Sequence, residues 1–192
     1  MTRFGPCALV LVLLGSCQAE PPAPGPGTGI DPVQGPYASY AVCMTPGTTQ
    51  NPCPGSACAR NAVGSPDGTA VDMGVCRDLQ LSFTTGLIVP LRDQPDLAIH
   101  TTALGGVTRV QASSDGFTFT DIAFVGQHPY PAVPERCRAE QQGGKLVIYI
   151  DRCGYQADIN TIRLERELSS SVGLQVDAIE ALTFRPNGQP KP

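Results

Sequence analysis

Cysteine is the residue type with the most chemistry open to it in this 192-residue chain, which holds eight. Six of them, Cys43, Cys53, Cys58, Cys76, Cys137 and Cys153, lie beyond the N-terminal apolar stretch that contains Cys7 and Cys17. An even set in an exported chain reads as three disulfides, and spacing alone selects none of the possible connectivities. Pairing neighbours within local clusters gives Cys53–Cys58, Cys43–Cys76 and Cys137–Cys153 as the expected set. Zinc is the rival chemistry. It is disfavoured because Cys53-x4-Cys58 has no second close pair and both histidines are distant in sequence. No Cys-x-x-Cys redox pair occurs.

Imidazole chemistry has two candidates, His100 in an apolar stretch and His128 in the run His128-Pro129-Tyr130-Pro131. Neither is accompanied by a Gly-x-Ser-x-Gly elbow. A carboxylate pair for glycoside hydrolysis would have to come from Asp115, Asp121, Asp151 or Asp158, most of them where turns or strand ends are expected and Asp is commonplace. Hydrolysis is therefore the least favoured reading, and the chain is not read as an enzyme. The Gly126–Pro134 stretch, with Tyr130 and His128 stiffened by proline, is the expected ligand-contact loop. The alternative is a plain connection latched by Cys137.

The elements that would position these groups begin with a leader. Met1-Thr2-Arg3 carries one positive charge, and the mostly apolar Phe4–Leu14 that follows is too short to span a bilayer, which needs roughly 20 residues. Leu13-Leu14-Gly15-Ser16-Cys17 resembles the lipobox of bacterial lipoproteins. That resemblance implies cleavage after residue 16 and acylation (palmitate among the chains) at Cys17. The alternative is an ordinary signal peptide cut a few residues later. Gln18 behind the cysteine resembles lipoproteins sent to the outer membrane, with a periplasmic or surface orientation left open. Residues 18–36 hold six prolines and four glycines and read as an extended tether reaching at most roughly 60 Å. The expected organisation is a leader at 1–16, lipidated Cys17 and tether over 17–36, one domain over 37–186, and a tail at 187–192.

Charge narrows the partners. The formal net charge is −4, no basic run occurs, and the lysines are Lys145 and Lys191 alone, so nucleic acid is not an expected partner. Aromatic residues make up 6% of the chain and tryptophan is absent, which argues against a broad stacking platform while leaving single tyrosines available.

From Tyr37 the pattern is short strands separated by Gly and Pro. Leu79–Phe83 alternates apolar and polar residues, and Leu97–Ile99, Val107–Ala112, Phe117–Ile122, Lys145–Asp151, Ile159–Leu164 and Leu174–Phe184 follow. Asp115-Gly116 marks a hairpin. Asn160–Ser169 is also compatible with a helix on propensity. About eight strands and no long amphipathic helix predict an all-β, antiparallel β-sandwich, braced by disulfides.

Three patterns, in order, resemble bacterial cell-surface modules with a galactose-binding-like jelly roll. They are Asn61-Ala62-Val63-Gly64-Ser65-Pro66-Asp67-Gly68 with Val71-Asp72-Met73-Gly74; Val110-Gln111-Ala112-Ser113-Ser114-Asp115-Gly116-Phe117-Thr118-Phe119; and Val172-Gly173-Leu174-Gln175-Val176-Asp177-Ala178-Ile179-Glu180-Ala181-Leu182. The chain departs from the pattern at Leu174-Gln175, where that family carries Phe-Asp, and it lacks a glycine-rich acidic stretch near Asp93 and Asp96. The resemblance implies non-catalytic binding of a glycan or envelope component, and it points to Asp67 and Glu180 as ligands of a structural calcium. The other reading of those two is a turn cap and a solvated strand residue. The alternative function is a structural or assembly subunit that binds another envelope protein.

Overall fold

Alternation along Leu79-Gln80-Leu81-Ser82-Phe83 puts Leu79, Leu81 and Phe83 on one face, and all three are buried. The computed structural model describes residues 35–46, 59–126, 134–167 and 173–190. Among them are twelve strands: β1 (Tyr40–Pro46), β2 (Val71–Asp72), β3 (Cys76–Ser82), β4 (Gly86–Ile88), β5 (Leu97–Ala103), β6 (Thr108–Ser113), β7 (Thr120–Val125), β8 (Glu140–Gln142), β9 (Lys145–Ile148), β10 (Thr161–Arg166), β11 (Gln175–Ala181) and β12 (Phe184–Pro186).

The strands form two five-stranded antiparallel sheets, ordered β1-β3-β10-β6-β7 and β2-β11-β5-β9-β8, and a small β12-β4 pair. Leu79, Val110, Ile122 and Ile162 from the first sheet and Ile99, Ile148, Val176 and Ile179 from the second share one core. The domain is thus the all-β sandwich the alternation predicts, with more strands than the eight expected. Each extra strand among β2, β4, β8 and β12 is two or three residues long. Such short pieces give periodicity too little length to register. Of the Asn160–Ser169 stretch, Thr161–Arg166 forms β10 rather than a helix. Ile162 and Leu164 alternate into the core, and both edges of the strand pair, one with β3 and one with β6.

Two disulfides lie within the described residues. Cys43–Cys76 ties β1 to β3, and Cys137–Cys153 joins two single turns of 3-10 helix beside Phe124 of β7. In the chain-entropy account, loops of 33 and 16 residues are worth about 3–4 kcal/mol each. Cys17, Cys53, Cys58, His128 and Tyr130 lie outside the described residues.

The loops around β5 are organised by a carboxylate with no exposure, Asp96. Its Oδ1 accepts from Leu91 N (2.8 Å) and Thr183 Oγ1 (3.3 Å), and its Oδ2 accepts from Ile150 N (2.9 Å). Its carbonyl accepts from Leu182 N at 2.8 Å. One residue therefore fixes the approach to β5, the exit from β9 and the turn after β11. Burial outweighs the backbone hydrogen bonds and raises the Asp96 pKa above the ordinary carboxylate value.

Asp96→Asn turns one of those oxygens into a donor facing a donor. It is expected to lower the unfolding free energy by about 1–3 kcal/mol in denaturant titration, and a change below about 0.5 kcal/mol contradicts this role. The raised pKa also sets a sign. Stability tied to Asp96 is full below about pH 3.9 and is lost as pH rises through the raised folded value. The advantage of the wild type over Asp96→Asn shrinks across that window.

Candidate functional site

Asp67 and Glu180, the two carboxylates singled out by resemblance, are held by different partners. Asp67 sits in the loop before β2, where its Oδ1 accepts from Thr69 N at 2.8 Å. That bond holds its carboxyl below the usual range. The loop is clasped by Asp177 of β11, whose oxygens accept from Asp67 N (3.2 Å) and Gly68 N (3.0 Å). Asp177 reaches this position at an irregularity in the β11–β5 register between Val176 and Ala178. The same two sequence patterns meet again where Met73 N donates to Leu174 O at 2.9 Å. A Cβ on Gly173 would lie 2.1 Å from Gly74 N, so only glycine allows this approach.

Glu180 belongs to a cluster on the outer side of the second sheet. Its Oε2 is 2.8 Å from His100 Nε2 and 3.8 Å from Lys145 Nζ. The Tyr37 ring lies 6.4 Å from that of His100, and burial, then the Glu180 charge, raises the Tyr37 pKa. The backbone beside Tyr37 pairs with β11, through Ala38 N to Ile179 O (3.0 Å) and Ala181 N to Pro36 O (2.6 Å). The cluster thus lies where the Pro36–Ala38 segment is tied to β11. Among the described residues there is no group of three or more His, Cys, Asp or Glu side chains placed to hold a metal ion.

A cleft of about 810 Å³ opens where β5 turns into β6 and β7 ends, with Leu104, Val107, Val125, Gly126 and Leu146 among its walls. Its charged rim is already paired: Arg138 with Glu135 at 3.2 Å, and Glu140 with Arg152 at 2.6 Å. Few polar groups remain there to orient a ligand.

Along β6 the first sheet presents a different surface on its outer face. On the outer face of β1-β3-β10-β6-β7, Arg163 makes two bonds to Asp78 (2.8 and 2.5 Å). Arg109 pairs with Glu165, and Gln111 Nε2 donates to Asp121 Oδ1 at 2.9 Å. Charges alternate along the face, so no single sign accumulates. The Phe119 ring lies 5.4 Å from the Arg163 guanidinium.

This face ends in the β6–β7 hairpin. Asp115 Oδ1 accepts from Ser113 Oγ, Phe117 N and Thr118 N, each at 2.8 Å. Ser113 Oγ accepts from Gly116 N at 2.9 Å, and Gly116 takes a φ of 78° to close the turn. These bonds hold the Asp115 carboxyl far below the usual carboxylate range. From the flank, Asn160 Nδ2 donates to Ser114 O at 2.8 Å. The Phe117 side chain projects from this braced tip and is 89% exposed.

The expected strand Phe117–Ile122 therefore begins three residues late, at Thr120. Side-chain capture of the Phe117 and Thr118 amides removes them from the ladder. Phe-Thr-Phe-Thr alternation hid this exposure, and the available signal was the Ser113-x-Asp115 spacing ahead of Gly116. No protein-family model, curated protein or solved structure matches the chain.

Asp177→Ala strips two loop amides of their acceptor. It is expected to cost about 1–3 kcal/mol of stability and to speed hydrogen exchange at Asp67 and Gly68. Unchanged protection at those amides contradicts the clasp.

Proposed function

We propose that the chain is an exported lipoprotein, anchored by lipid at Cys17, whose galactose-binding-like sandwich binds a glycan or another envelope component without catalysis. The observation that carries the binding reading is the hairpin end of the first sheet. A charge-compensated polar face is bordered there by aromatic rings, one of them almost wholly in solvent. Mixed polar groups with an apolar ring suit a hydroxylated, weakly charged ligand better than a polyanion. The two disulfides support export, since such bonds persist in oxidising compartments. The anchor reading rests on the Leu-Gly-Ser-Cys pattern and the Pro/Gly tether, with several acyl chains making attachment stable.

A second reading, an assembly subunit bound to an envelope protein, is favoured by the outer edge of β1, where Tyr40 is 50% and Met44 56% exposed. Loss of a co-purifying membrane partner on changing both residues would support it.

Cys17→Ser is expected to abolish fatty-acid labelling and release the protein from membranes, and persistent labelling contradicts the anchor. For ligand binding, the oxidised full chain is applied to a polysaccharide panel with calcium present. Saturable binding competed by free sugar is the expected result. Absence of binding by a folded sample overturns the glycan reading in favour of a protein partner.

A further inference from the structure

The β6–β7 tip combines two features that folding alone does not require. Its backbone is fixed by Asp115 and Ser113 and braced by Asn160, while the large apolar side chain it carries, Phe117, is left in water. A loop ordered before binding loses little conformational freedom on contact, so an aromatic ring presented this way is preorganised to receive a ligand.

The surroundings of the ring indicate what that ligand is. Ser114, Thr118 and Thr120, its neighbours along the chain, are exposed, and Asn160 Nδ2 donates to Ser114 O at the turn. The other large apolar side chains that are exposed among the described residues are Tyr40 and Met44 on β1 and Leu104 at the start of the β5–β6 connection. None of these belongs to the β6–β7 tip, and the two other rings there, Phe119 and Tyr155 (which reaches the Ser114 side chain), are half-buried, so the apolar surface around Phe117 is narrower than that around an anchor in a protein interface. Asp115 carries the one formal charge at the tip, and its Oδ1 is turned inward onto the Phe117 and Thr118 amides. An apolar face ringed by hydroxyl and amide groups complements a sugar ring, which has an apolar face of C–H groups and a rim of hydroxyls. From this geometry we infer that Phe117 is the anchor on which an uncharged glycan stacks. Phe119 and Arg163 continue the surface along the sheet. This deepens the glycan reading above and rests on it.

The test uses the oxidised full chain in affinity electrophoresis. The gels carry a soluble β-glucan, a mannan, a galactan or, as the anionic control, polygalacturonate. Retardation by at least one neutral polymer is expected. Phe117→Ala should weaken it by about tenfold or more, the loss typical of truncating a central aromatic anchor. Phe117→Tyr, which keeps the ring, should retain it. Asp115→Ala, which frees the tip, should also weaken binding. Because Phe117 is 89% exposed, its alanine variant should melt with the wild type, which separates lost binding from lost folding. Wild-type retardation that Phe117→Ala leaves unchanged overturns the anchor while the glycan reading stands. Retardation by polygalacturonate alone overturns the ligand class. No retardation of the folded wild type by any polymer overturns both.

Discussion

The twelve short strands of the described residues leave many backbone N–H groups at strand ends and in loops, and each must find an acceptor if it is shielded from water. In this chain aspartates answer much of that requirement. Asp96 serves the loops around β5, Asp177 clasps the Asp67–Gly68 loop to β11, and Asp115 closes the β6–β7 hairpin. Each carboxylate accepts two backbone amides, and such charge-assisted bonds are stronger than those between neutral groups. The sheets supply the core, and the aspartates decide where the connections between strands can sit.

Those three carboxylates do different things because their surroundings differ. Asp96 has no solvent contact, so the cost of burying its charge dominates and its pKa moves up. Asp115 sits on an exposed tip, so desolvation is slight, hydrogen bonding dominates, and its pKa moves down. The first bond set holds the inside of the domain together. The second stiffens a loop on its surface, where rigidity serves recognition more than stability.

Much of this arrangement is legible in the sequence, and the parts that are not have local causes. Period-two alternation identifies β3, β6 and β10 because each has one face in the core. Neighbour pairing of cysteines anticipates Cys43–Cys76 and Cys137–Cys153, whose partners lie in adjacent elements. Asp115-Gly116 marks the turn. The same alternation misplaces the start of β7, because a side chain two residues back competes for the amides that a strand would use. Glu180 reads as a metal ligand by resemblance, yet its neighbours in space, His100 and Lys145, come from β5 and β9 and are far away in sequence. Register across a sheet is a tertiary property, and no local pattern encodes it.

The account turns on Phe117 being held rigid and free before a ligand arrives, and covered afterwards. The direct measurement is NMR of the full chain with ring-13C phenylalanine, titrated with a neutral polysaccharide. The account predicts that the Phe117 ring signals move first and furthest, while the Phe117 and Thr118 amides stay protected throughout. Ring signals of Phe117 that stay still at saturating polysaccharide would contradict it.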